Sequence, residues 1–135
     1  MTLTDAGALV ALIDKNQPQS GQCRTTFAIL SLPLVTTWPA FTEVMCLLYQ
    51  LGGWPFQRNL WQYIEGGVLQ IHFSEETEQQ RMQQLMDQYS DTPMDLADAS
   101  LVATAEKLRL SRIFTLDSDF YVYRINDTEA FTVVP

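Results

Sequence analysis

At 135 residues, 47% hydrophobic and 18% charged, the chain has the composition of one globular domain, expected to span residues 1–135, and not that of a disordered segment. Sixteen acids against eight Lys and Arg leave a net charge of −8, which argues against tight non-specific binding to nucleic acid but permits a nucleic-acid substrate held through divalent ions. The longest apolar run, Ala6 to Ile13, is too short to span a bilayer and lacks the basic start of a secretory signal, so Cys23 and Cys46 are expected as reduced thiols in a cytoplasmic protein with no membrane segment.

Leu3-Thr4 reads as a short first strand, and Asp5-Ala6-Gly7 as the turn into a helix carrying Leu9, Val10, Leu12 and Ile13. After the breakers Asn16, Pro18, Ser20 and Gly21, a second helix is predicted over Gln22 to Leu30, and Leu34 to Thr37 is a strand. Pro39 opens a helix whose period is kept by Ala40, Val44, Leu47, Leu48 and Leu51 until Gly52-Gly53. A further helix runs from about Pro55 to Ile64, and Val68 to Phe73 alternates as a strand.

Ser74 is the expected N-cap of a polar helix from Glu75 to Gln88, with Met82, Leu85, Met86 and Tyr89 as its apolar stripe. Thr92-Pro93-Met94-Asp95 combines a capping-box pattern with Pro at the first helical position, and the Ala- and Leu-rich helix that it opens reaches Leu108. Ile113 to Leu116 and Phe131 to Val134 complete the strands. Strands alternating with helices mean an α/β domain with a mainly parallel sheet and helices on both faces. Ligands in such sheets gather beyond the carboxyl ends of the strands, where strand order reverses, and Asp5 and Asp117 leave two of those strands.

Four acids stand out because each begins a segment that reads as buried: Asp5, Glu43, Asp98 and Asp117. Apolar residues follow the first three at helical spacing, so their carboxylates are expected to point inward. Carboxylates driven together repel and lose solvation, and a cation or shared protons must compensate. Taken singly, Asp5 and Asp117 also read as caps and Glu43 as a first-turn acid answering the helix dipole. Asp98 resists that reading, because Thr92 and Asp95 already fill the capping positions before it and it shares a stripe with Leu101, Ala105 and Leu108. Oxygen ligands of this kind suit Mg²⁺ or Mn²⁺. Calcium loops, zinc spacing and phosphate-cradling glycine loops are missing, and His72 alone, mid-strand, cannot serve a nucleophile triad. Trp38, Trp54 and Trp61, together with Tyr49, Phe56 and Tyr63, read first as core or subunit contacts, with a partner groove as the alternative.

The pattern Leu3-Thr4-Asp5-Ala6-Gly7-Ala8-Leu9-Val10, then Thr42-Glu43-Val44, then Asp95-Leu96-Ala97-Asp98-Ala99-Ser100-Leu101, then Phe114-Thr115-Leu116-Asp117-Ser118-Asp119-Phe120 resembles a PIN domain, and within that family the small VapC-type toxins. The resemblance covers essentially the whole chain. It implies a three-layer α/β/α fold with a central parallel sheet, and an acidic pocket of Asp5, Glu43, Asp98 and Asp117 with Asp119 as an auxiliary acid. It further implies a Mg²⁺- or Mn²⁺-dependent endoribonuclease acting on RNA, usually a homodimer, and inhibited by a small antitoxin protein. One departure is visible: Lys15, Lys107 and six arginines are the only cationic side chains besides His72, so the positive rim around an RNA groove is thin. Arg24, Arg81, Arg112 and Arg124 are the candidates for meeting phosphates.

Two other readings compete. A phosphate-signalling receiver domain also gathers acids at strand ends, but it needs a lysine on a late strand and none follows Lys107. A non-catalytic protein-binding module that keeps the fold would account for the acidic balance and the aromatics.

Overall fold

The computed structural model describes residues 1–135. Its frame is a five-stranded sheet in which strands β1 (Thr2–Thr4), β2 (Leu34–Thr37), β3 (Leu69–His72), β4 (Arg112–Phe114) and β7 (Thr132–Val134) pair in the order β3-β2-β1-β4-β7. All the pairings are parallel, and Leu3 sits opposite Val35 on one side and Ile113 on the other. From β1 the chain crosses outward to β2 and β3, then returns past β1 to form β4. The exits of β1 and β4 therefore diverge, and a crevice opens between them at their carboxyl ends.

Helices α1 (Ala6–Ile13), α2 (Ser20–Phe27), α3 (Trp38–Gly52) and α4 (Trp54–Glu65) cover one face, where Leu9, Leu12, Val44, Leu48 and Leu60 pack with Leu34, Leu69 and Phe114. On the other face α5 (Glu76–Gln88) and α6 (Leu96–Leu108) bury Met82, Leu85, Leu101 and Val102 against Leu3 and Ile113. Side chains of adjacent strand residues serve opposite faces, as Ile113 and Phe114 show. This is the expected three-layer α/β/α architecture. No helix is long and apolar enough to cross a membrane.

Several element boundaries moved. Helix α2 begins at Ser20 and ends at Phe27, earlier than the apolar residues alone indicated. Glu75, not Ser74, caps α5, and Glu78 returns a bond to the Glu75 N–H in a capping box. Helix α6 starts at Leu96, so Pro93 lies before it and Asp95 is the N-cap. The turn that Asp117 was expected to cap is a 3-10 helix over Ser118–Tyr121, whereas a hairpin of β5 (Arg124–Ile125) with β6 (Glu129–Ala130) is an addition to the expected strands. Asn126 and Asp127 enter that hairpin turn with positive φ, a conformation their short polar side chains tolerate.

The junction of α3 with α4 follows from its glycines. Gly53 has φ +68, which ends one helix and starts the next. A Cβ at Gly52 would lie 2.5 Å from the Phe56 ring, so the two helices meet this closely only with glycine there.

Candidate metal centre

Asp5 stands at the first residue after β1, and its Oδ1 accepts a 2.7 Å bond from the Ala6 N–H at the start of α1. Its Oδ2 accepts from the Thr115 hydroxyl at 2.9 Å, and that hydroxyl oxygen accepts the Asp117 N–H at 3.0 Å. The exits of β1 and β4 are thereby stitched together across the crevice. Asp117 Oδ1 accepts from the Asp119 N–H, capping the 3-10 turn and leaving Oδ2 for other work.

Asp98 arrives from the opposite layer on α6. Every residue from Ala97 to Ala105 is buried, because Ala97, Ala99, Ser100, Ala103 and Ala105 are small enough to admit α5, α3 and the sheet around the helix. The anchor to β2 is a 2.6 Å contact between the buried hydroxyls of Thr37 and Ser100. Asp98 is also the N3 acid of the α6 capping box, accepting the Asp95 N–H at 3.3 Å while Asp95 Oδ1 accepts the Asp98 N–H at 2.8 Å. Asp95 thus caps the helix as expected and Thr92 takes no part; what the expectation lacked is that Asp98 completes the same capping box while it faces the crevice. The buried Tyr123 hydroxyl lies 2.7 Å from the Pro93 carbonyl and 3.2 Å from Asp98 Oδ2. It has one proton for two acceptors.

Carboxylate oxygens of Asp5, Asp98 and Asp117 lie within 4.8 Å of one another. They line a pocket of about 280 Å³ together with Glu43, Leu47 and Asp95. Glu43 corrects another expectation, for its residue is exposed on α3 and reaches the pocket from the rim. Asp119 does not line the pocket and connects to it only through Asp117. Thr115 and Tyr123 shape the site although neither was singled out. Thr115 was within reach of sequence reasoning, because two residues before Asp117 in extended chain is the same side. Tyr123 was not, since nothing in its neighbourhood refers to Asp98.

The electrostatics are those of crowded anions. Asp98 has its pKa pushed up to about 7, first by burial and then by the charges of Asp95, Asp5 and Asp117. Burial also raises Asp5, against the opposing bonds from Ala6 and Thr115. Glu43 is raised by burial and then by Asp5, Asp95 and Asp117, and Asp119 chiefly by Asp117. Burial and the neighbouring Asp98 drive the Tyr123 phenol upward as well. None of these acids has an ion-pair partner: the salt bridges join His72 to Glu78, Arg81 to Glu106 and Asp127, and Lys107 to Glu75.

The four candidate arginines do not line the pocket. Arg81 is held by Glu106 and Asp127, Arg112 begins β4 at the end away from the crevice, and Arg124 donates to the carbonyls of Tyr121, Val122 and Tyr123. Arg24 turns toward the Leu12 carbonyl. An all-oxygen donor set, mutual repulsion and no internal cation together fit a hard divalent ion.

The PIN domain sequence pattern matches residues 2–126. The chain belongs to the PIN domain family. Among solved structures, the PIN fold recurs in Mycobacterium tuberculosis VapC20, a Sarcin-Ricin loop cleaving toxin, which is 14% identical with a TM-score of 0.85 over 96% of this chain and 99% of that one. A toxin–antitoxin complex from Klebsiella pneumoniae contains a chain 19% identical, with a TM-score of 0.66 over 89% of this PIN domain and 90% of the other chain. No curated protein sequence matches it. At such identities the two structures speak for the fold alone.

Proposed function

We propose that this PIN domain is a metal-dependent endoribonuclease, the toxin of a toxin–antitoxin pair, that hydrolyses RNA phosphodiester bonds. The observation that carries the reading is the convergence of Asp5, Asp98 and Asp117 within 4.8 Å, without a neutralising side chain, at the crevice of a PIN fold. Asp5, Asp98 and Asp117 would hold Mg²⁺ or Mn²⁺, with Asp119 supporting through Asp117. Bound there, the ion would supply Lewis-acid polarisation of the phosphoryl group and a more acidic water.

The remaining work falls to the chain's own groups. Glu43, at the rim with a raised pKa, would orient the attacking water and accept its proton, or steady a second ion. Thr115 holds Asp5 and the Asp117 backbone in one geometry, so the ligands are set before substrate arrives. Tyr123 keeps solvent from the inner side of Asp98.

The VapC20 and Klebsiella likenesses favour RNA as substrate and a small antitoxin protein as partner. A homodimer is supported by Tyr49, Leu51 and Trp54, large apolar side chains left exposed around the α3–α4 junction. Two free cysteines suit a cytoplasmic location.

The test is incubation of the purified protein with a structured RNA pool in Mg²⁺, in Mn²⁺ and in chelator. Cleavage in the metal arms that stops in chelator is the expected result. Equal inactivity in all arms, with no heat of Mn²⁺ binding by calorimetry, would leave the fold as a protein-binding module.

A further inference from the structure

Directly beside the acidic pocket lies a second, larger one of about 770 Å³, formed where α3 faces the start of α6. Its walls are Trp38, Pro39, Thr42, Cys46, Leu96 and Ala97, and it shares Glu43, Leu47 and Asp95 with the acidic pocket. The two are one continuous groove with a charged end and an apolar end. Resting on the ribonuclease reading, we propose that the apolar end is a base-binding subsite, which takes one unpaired RNA base from a nucleotide adjoining the scissile phosphate and stacks it on Trp38.

Three features favour a base over other occupants. Trp38 is large and open, at 42% exposure, yet its ring packs in T-shaped contacts with Phe41 at 5.5 Å and Phe73 at 6.1 Å. Its ring is therefore a fixed platform that stacking need not order. No Lys or Arg lines either end of the groove, while Glu43 and Asp95 stand at the join. Such a rim repels a second phosphate but accepts hydrogens from the exocyclic amine of a neutral base. Finally, a phosphate that a divalent ion would hold at Asp5, Asp98 and Asp117 brings the neighbouring nucleotide to the mouth shared by both pockets. Paired bases are stacked inside their helix, so the subsite selects single strands and loops.

Affinity for RNA then comes from metal and stacking more than from cationic side chains. That separates this site from a basic groove by experiment.

Wild-type protein in Mn²⁺ is given a short oligonucleotide whose cut position has been mapped, and a series with one abasic nucleotide at each position in turn. At one position flanking the cut, loss of the base is expected to lower kcat/KM on the order of ten- to a hundredfold. Trp38→Ala should show the same loss on the intact substrate and no added loss on that abasic one, since the two changes remove one contact. Trp38→Phe should recover most of the activity.

Cys46 supplies a readout that needs neither cleavage nor a variant. It is exposed in the groove, whereas Cys23 is buried, so N-ethylmaleimide should alkylate Cys46 alone. Single-stranded RNA should slow that reaction, and the same sequence annealed to its complement should not. Protection of Cys46 in a protein that cuts no RNA in any metal would end the ribonuclease reading while keeping the subsite. Cleavage indifferent to every abasic position and to Trp38→Ala, with alkylation unslowed by RNA, would overturn the subsite and leave the nuclease standing, with the groove left to a polypeptide.

Discussion

Asp98 is the residue on which the site's energetics turn. Its ordinary carboxyl pKa of 3.8 is raised to about 7 in the folded protein, so folding favours the protonated form. Between those values an unfolded chain has already released the proton that the folded chain retains, and stability falls as pH rises. Metal-free protein is therefore expected to melt at a lower temperature at pH 8 than at pH 5. Asp98→Asn should flatten that dependence and raise the metal-free Tm at pH 8, while abolishing cleavage and weakening Mn²⁺ binding at least tenfold. Retained cleavage would remove Asp98 from the site.

A second residue makes a contrasting case: Thr36, one residue before the end of β2, buries its hydroxyl with no hydrogen-bond partner. Thr36→Val keeps the shape and deletes the orphaned group, and urea denaturation should show a gain of about 1 kcal/mol. At this scale the chain announced its acids through their apolar surroundings. It concealed that Glu43 is exposed, because a helix's helical spacing cannot tell the rim of a crevice from its floor.

Among the elements, α6 carries most of the design. Its small side chains permit burial all round, and burial is what turns an ordinary capping-box acid into a strained one. At the far end of the same helix, Arg81 from α5 makes a two-bond clamp to Glu106, at 2.8 and 3.0 Å, and a further bond to Asp127 in the β5–β6 turn. Glu106 also accepts the Asn126 N–H at 2.7 Å. Because the guanidinium is only partly exposed and paired at both ends, Arg81→Ala is expected to cost about 1–2 kcal/mol in chemical denaturation. Faster amide exchange in the hairpin, with metal binding unchanged, should accompany the loss. Helices and strands with strong apolar periods were legible in advance. The hairpin was not, since Arg124–Ile125 and Glu129–Ala130 are too short to show alternation and are fixed by side chains from α5 and α6.

For the molecule as a whole, binding a divalent ion among uncompensated acids should stabilise the folded state alone. Mn²⁺ at a hundred times its dissociation constant is expected to add about 2.7 kcal/mol, visible as a rise in Tm that chelator reverses. With a net charge of −8 and no cation in the groove, RNA affinity measured at constant Mn²⁺ should fall only weakly with added KCl. A steep slope would reveal basic contacts that the groove lacks.

The amino-acid order by itself determined the α/β alternation, the parallel sheet and the positions of the acids along it, because periodicity and strand-to-helix turns are local properties of a chain. Only the tertiary structure decided which acids share one space. Asp5 and Asp117 are joined through Thr115 across the crevice, and Asp98 meets them because α6 packs from the opposite layer. Convergence depends on how layers pack over distances no local pattern spans, and so does the groove between Trp38 and Leu96, whose walls come from helices far apart in the chain.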